Sequence, residues 1–371
     1  MFKSVKLWFK KVDWLLMLNV FFLLLFSLTA LYSLNINQPL DSSNLFVRQL
    51  VFVLIGLVLV VLFTLFDYRW LKNYHKIILA VVFILLFVVN VFAEPIRGMT
   101  GWLAVGGQSF QPSEFAKLAT VFFLASYFTK FSHEFYRFKH ILITGAVTGV
   151  MAALVASQPD FGSAVIIFAT WFVMLWFVKI PKKYFLYLII FLILVSTILW
   201  SFVFVDYQKA RLVSFVNPTA DALGDGYNVR QSMIAVGSGQ LLGRGLGLGP
   251  QSQLNFLPEQ YSDFIFAVIA ESFGLWGSIA LLLLFVSLYG RMIVVAKNSG
   301  NAFASWMVLG FVIYLSMQTF VNIAMTIGIA PVTGITLPFV SYGGSSLLTS
   351  FVVLGIVQNV IITRREKLFT Y

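Results

Sequence analysis

Ten stretches of about 20 mostly apolar residues, parted by polar segments, constrain this chain more than any other feature. A helix of that length satisfies its backbone hydrogen bonds internally and spans roughly 30 Å of hydrocarbon. The stretches lie near 13–34, 47–66, 75–93, 113–129, 140–157, 161–178, 184–205, 263–289, 303–327 and 341–362. The 371 residues are 60% hydrophobic and only 11% charged. A soluble domain has roughly 25% charged residues, so this chain has too little polar surface to fold in water. The expected fold class is an all-α polytopic membrane protein with about ten transmembrane helices, in a single membrane domain over 1–371. Lys3, Lys6, Lys10 and Lys11 precede the first stretch as they would in a signal peptide. Its length and the lack of a small-residue cleavage site read as a retained helix.

Charge placement orients the spans. With the N-terminus inside, the inner segments hold 18 of the 25 Lys and Arg, whereas ten of the 14 Asp and Glu lie outside or near the outer surface. That asymmetry is the positive-inside pattern, with both termini cytoplasmic. The net charge of +11 therefore reports topology and contact with anionic membrane lipid, and it does not point to nucleic acid. Without Cys there is no disulfide, thiolate metal site or Cys nucleophile. The three His (His75, His133, His140) all fall in inner segments, which leaves no outer His cluster for zinc.

Residues 206–262 break the rhythm of helices and short loops. A connection this long between spans seven and eight is a large extracytoplasmic loop, and its apolar residues, Phe215 and Leu254 among them, can anchor it on the membrane surface. Gln231–Gly239 reads as a short amphipathic helix leading into a glycine-rich turn. The outer loops 94–112 and 328–345 also collect Gly and Pro, while the inner loops are plain basic turns. The chemistry is expected on the outer face.

Glu114 and Lys117 are three apart at the start of the fourth span and share a helical face, able to pair as a neutral salt bridge or to face a cavity. Asp160, with Gln158, sits in a very short outer turn, where it is either a helix cap or a ligand for substrate or cation. Asp263 follows Glu259 at the end of the long loop, again as a cap or as a functional acid. The helix dipole favours its carboxylate, while burial or the charge of Glu259 opposes it, and sequence leaves that balance open. Gly243, Gly245, Gly247 and Gly249 lack the strand and the Lys-Ser/Thr of a phosphate-binding loop, so they read as a flexible surface turn.

At these same places the chain resembles the SEDS family (shape, elongation, division and sporulation), the group of RodA, FtsW and SpoVE. The resemblance runs over essentially the whole chain. The matching stretches are Phe110-Gln111-Pro112-Ser113-Glu114-Phe115-Ala116-Lys117, Gln158-Pro159-Asp160-Phe161-Gly162, Leu254-Asn255-Phe256-Leu257-Pro258-Glu259, Ser262-Asp263-Phe264-Ile265-Phe266 and 337–346. Gly249-Pro250-Gln251-Ser252 is more similar to the RodA branch. The resemblance implies a GT-C-like membrane fold that polymerises lipid II into glycan strands on the outer face of the cytoplasmic membrane. It also implies a class B penicillin-binding protein as cross-linking partner. Asp263 would be the general base toward the acceptor hydroxyl. Arg48, Glu114, Lys117, Gln158, Asp160, Arg211, Glu259 and Ser341 would contact the substrate. A divalent cation (Mg or Mn) is compatible with acids and pyrophosphate sharing a site, though no motif demands one. Two departures stand out: Gly101 precedes Trp102 where the family has Arg, and Glu271-Ser272 replaces a Glu pair. The rival readings are a lipid II flippase without catalytic chemistry, with Asp263 as a cap, and a non-catalytic scaffold.

Overall fold

The computed structural model describes residues 11–36, 44–92, 101–105, 108–178, 180–198, 200, 201, 209, 215 and 224–369. Each of the ten apolar stretches contains a helix among the described residues. In chain order, α1 (Trp14–Asn35), α2 (Leu45–Leu65) and α3 (Arg69–Phe92) lead to a hairpin, β1 (Leu103–Val105) and β2 (Gln108–Phe110). Then come α4 (Pro112–Phe131), α5 (Phe138–Ala156), α6 (Phe161–Phe177) and α7 (Lys182–Ile198). The long loop contributes α8 (Asp225–Ser238) and α9 (Pro250–Gln253), and α10 (Ile265–Asn298), α11 (Ala302–Thr326) and α12 (Gly344–Phe369) close the chain. Seven of these helices are long and apolar enough to cross a membrane on their own. Of the other three stretches, α6 and α7 have 17 residues each, and α4 is made more polar by Glu114 and Lys117. The protein is an integral membrane protein.

Helix starts follow local chemistry. The side chains of Asp13, Asn44, Asp160 and Asn301 accept backbone N–H groups at the starts of α1, α2, α6 and α11, and Pro112 opens α4. Packing is less evenly shared than hydropathy. In its most apolar window α12 is 83% buried and α11 67%, whereas α2 is 22% and α3 only 17%. The first two are core helices, and the last two show most of their surface to lipid. α12 packs on α2, α10 on α1 and α11, and α11 on α4 and α6.

Three features depart from expectation. The β1–β2 hairpin, paired antiparallel with Leu103 opposite Phe110, interrupts an otherwise helical chain. The Gly106-Gly107 dipeptide between two short runs was its signal. α12 begins at Gly344, so Ser341 lies in the preceding loop. The eighth span starts at Ile265 and runs to Asn298, broken at Gly274, whose φ of 66° and ψ of −160° are non-helical. The long loop fills that break. Leu275 N donates to Gln240 O (2.8 Å) and Trp276 N to Leu241 O (3.3 Å), while Arg244 N and Gly245 N donate to Glu271 O (2.8 Å) and Ser272 O (3.1 Å). The loop thereby supplies backbone partners at the kink, and the helix supplies partners for the loop.

Candidate active site

The turn before α10 is held almost entirely through its main chain. The N–H groups of Ser262, Asp263 and Phe264 converge on Glu259 O at 3.2, 3.1 and 3.4 Å, around a Glu259 with φ 48°. The fully buried Asn322 of α11 donates to Asp263 O (2.8 Å) and to Ile335 O (2.7 Å). Ser341 Oγ donates to Ser262 O (2.6 Å) while accepting Leu337 N (2.7 Å), and Tyr342 N donates to Tyr261 O (2.9 Å). The rings of Tyr261 and Tyr342 meet edge-on at 5.8 Å. The turn is thus clamped from one side by α11 and from the other by the 331–343 loop.

These bonds engage the main chain of Asp263. The N-cap of α10 is Phe264, with no side-chain capping bond, so Asp263 does not occupy the capping position that sequence allowed it. Its Oδ2 stands over Gly334, where an added Cβ would lie 3.6 Å away. Gly334 has φ +69°, a left-handed conformation that glycine adopts without penalty and that brings the loop's backbone against the acid. Asp263 is only partly exposed.

Asp160 is organised in the opposite way. Its Oδ1 accepts Ser163 N (3.0 Å), and its Oδ2 accepts Ser113 Oγ (2.8 Å) and Gln111 Nε2 (2.9 Å). The carboxylate is 7% exposed and joins the starts of α4 and α6. Gly162, one turn on, packs so tightly on the 331–343 loop that a Cβ would come 2.5 Å from Thr333 O. The Asp160 turn and the Asp263 turn therefore rest on neighbouring residues of one loop, at one end of the helix bundle. Gln158 is fully buried and donates to Leu86 O (2.8 Å). Its Oε1 has no partner among the described residues and lies close to Gly101, where the family's Arg would stand.

Glu114 and Lys117 form an ion pair at 2.7 Å, with side chains 7% and 2% exposed. Thr349 Oγ1 of α12 adds a bond of 3.3 Å to Glu114 Oε2. Both charges are thus committed to each other inside the bundle. Ser341 is buried and engaged by its donor and acceptor bonds, and Gln49 Nε2 donates to its carbonyl (3.2 Å). Ser341 is a fastener of the Asp263 turn. Glu259 is half-buried and accepts Ser262 Oγ through Oε2 at 3.3 Å. Arg48 is exposed, one residue before the buried Gln49 that reaches this loop. Arg211 lies outside the described residues. Among the described residues no group of three or more His, Cys, Asp or Glu converges to hold a metal. A cation here would have to draw most of its oxygens from substrate and water, as Mg commonly does.

Sequence reasoning passed over Asn322, Gly334 and the function of Glu271. Asn322 was visible as an amide near the end of an apolar span, a position where polar side chains have a partner to serve. Glu271 is fully buried, and its carboxylate accepts Gln251 N (2.9 Å), Ser252 N (3.0 Å) and Ser238 Oγ (3.4 Å). Gly249 packs directly on it. Glu271 thereby ties α8 and α9 to the first segment of α10, just before the Gly274 break.

Comparison with known proteins agrees with this architecture. The sequence model of the family described as "Cell cycle protein", covering FtsW, RodA and SpoVE, matches residues 12–366. A probable peptidoglycan glycosyltransferase FtsW of Coxiella burnetii is 36% identical over 321 residues, 85% of this chain and 86% of that one. The peptidoglycan glycosyltransferase MrdB of Escherichia coli K12 is 35% identical over 313 residues, 84% of each. A solved chain from a peptidoglycan synthase complex that coordinates polymerization and crosslinking superposes with a TM-score of 0.78 and 27% identity. That match covers 96% of this chain and 98% of the other.

Proposed function

The chain belongs to the FtsW, RodA and SpoVE family of cell cycle proteins, and from that premise we propose that it is a peptidoglycan glycosyltransferase using Asp263 as general base. The substrate is lipid II, polymerised into glycan strands on the outer face of the cytoplasmic membrane, with both termini inside. The bracing of the Asp263 turn carries this reading: Asn322, Ser341 and Tyr342 bind main-chain groups of residues 261–263 and fix where the acid stands. A base held this way meets the acceptor without first reorganising.

In the reaction, Asp263 takes the proton of the acceptor sugar hydroxyl as that oxygen bonds to the anomeric carbon of the donor. The donor's C–O bond to the lipid pyrophosphate breaks, and the pyrophosphate leaves with the electron pair. A positioned base contributes about 10²–10⁴-fold. Charge stabilisation of the leaving group falls to outward cations. Arg48, exposed near the clamp, is better suited than Lys117, whose charge is neutralised by Glu114 inside the bundle. The proposed partner is a class B penicillin-binding protein, supported by the likeness to a chain of a synthase complex. FtsW and MrdB relatives are about equally similar, so the lean toward elongation rests on the RodA-like Gly249-Pro250-Gln251-Ser252 stretch.

The test is polymerisation of purified lipid II by wild type and Asp263→Ala, each with and without the partner. Long glycan products from wild type and none from an equally folded variant are expected. Normal polymerisation by the variant overturns the base assignment. Transport of lipid II across liposomes by a wild type that never polymerises, even with the partner, would favour a flippase.

A further inference from the structure

A second polar site lies at the opposite end of the bundle. Asp13 caps α1 there and is 3% exposed, and its Oδ2 receives Arg291 Nε (2.8 Å) and Nη2 (2.6 Å) from α10. Gln358 of α12 brackets the backbone of the same residue, accepting Asp13 N (2.9 Å) and donating to Asp13 O (3.0 Å). Arg365 donates to the carbonyls of Lys11 (2.8 Å) and Val12 (3.3 Å). Three helix ends are thus locked around a cavity of about 210 Å³ whose ionisable lining is one acid, Asp13, and three guanidinium groups, Arg291, Arg364 and Arg365. The lining has a formal charge of +2, and Arg364 is exposed at its edge.

The rest of the lining is divided. Asn298 and Ser299 are polar, while Val294, Val295, Val360 and Ile361 form an apolar wall, with Val294 42% exposed. Arg291 follows Ile265 by 26 positions on α10, roughly 39 Å at 1.5 Å per residue, before any shortening at the Gly274 break. That is close to the roughly 40–45 Å between the outer edges of the two headgroup layers. The cavity therefore sits at headgroup depth in the leaflet away from Asp263, with guanidinium groups beside an apolar wall. Guanidinium forks match the oxygens of a phosphate diester, and basic pockets between helix ends are where anionic lipid headgroups bind.

We propose that this cavity binds the phosphate headgroup of an anionic phospholipid, with an acyl chain lying along the Val294 side. The site is separate from the Asp263 site and does not depend on the reaction assigned there.

Binding of phosphatidylglycerol and of phosphatidylcholine to the full-length protein, followed by native mass spectrometry in detergent, tests it. Wild type is expected to prefer phosphatidylglycerol, and Arg364→Gln to lose about fivefold in that affinity, the effect of one basic group near a charged surface. Val294→Glu, which leaves every arginine in place, should weaken binding as well, with melting temperatures unchanged. Lys182→Gln/Lys183→Gln, which removes two basic residues elsewhere, should have no effect. Wild-type affinity in both Arg364→Gln and Val294→Glu overturns the proposal, as does an equal loss in the double-lysine variant, which would mean diffuse surface charge. Full competition by millimolar inorganic phosphate would overturn the lipid assignment in favour of a soluble phosphate.

Discussion

The turn carrying Asp160 and the turn carrying Asp263 look alike in sequence: each places an acid just before an apolar helix. In the folded protein they use the acid differently. Asp160 engages both carboxylate oxygens with Ser163, Ser113 and Gln111, and so becomes part of the joint between α4 and α6. Asp263 is anchored by its carbonyl to Asn322 and by its N–H to Glu259, while Phe264 takes the capping position. A carboxylate committed to several protein donors is a structural element. Asp263 is set in place by main-chain bonds to two different elements, which fix the position of the turn that carries it.

The largest expected effect comes from removing the charge at the second turn. Asp263→Asn should lower lipid II polymerisation by about 10²–10⁴-fold, measured on protein shown by its melt in detergent to be folded. Matching behaviour from Asp160→Asn would abolish the contrast between the turns.

The interior of α4 gives the next test, because its acid is committed to a buried cation. Glu114→Gln leaves Lys117 buried and unpaired and should destabilise by about 3–5 kcal/mol in denaturant or thermal unfolding. Replacing both with methionine should recover most of that loss, because the desolvation of both charges disappears together.

Asp160→Asn should cost about 1–3 kcal/mol of stability through its disrupted buried bonds, with activity lost only as the folded fraction falls. A melt that does not move would show that the three bonds contribute nothing. Gly334→Ala should cost about 1–2 kcal/mol for a left-handed alanine. Its effect on turnover should exceed its effect on the melt, because the loop lies against the Asp263 carboxylate. Equal small effects on both would argue that the loop does not position the acid.

Much of this was legible beforehand. The spans, the long loop with its helix and the Glu114–Lys117 pair all appeared in the sequence, since each rests on local spacing. The family stretches pointed to Asp263 as well. The cap that Asp160 places on α6 was legible, but its bonds to Ser113 and Gln111 were not, nor was that of Ser341 to Ser262, 79 residues away, because those partners are distant. Nor was the clamp by Asn322, or the loop filling the break at Gly274. The hairpin went unread because two three-residue strands carry little pattern.

Embedding in the membrane and the positions of the ten spans followed from composition and run length alone, because hydrocarbon tolerates only a backbone that pairs with itself. Tertiary structure decided which helices are central and how each acid is held. α12 has lower mean hydropathy than α3, 1.9 against 2.5, yet is 83% buried against 17%. Lipid tails and protein interior are about equally apolar, so a spanning helix carries little hydrophobic periodicity to show which face meets protein. The polar contacts that do show it, such as Tyr68 N to Asn359 or Asp13 to Gln358, join residues some 300 positions apart, and only the assembled bundle brings them together.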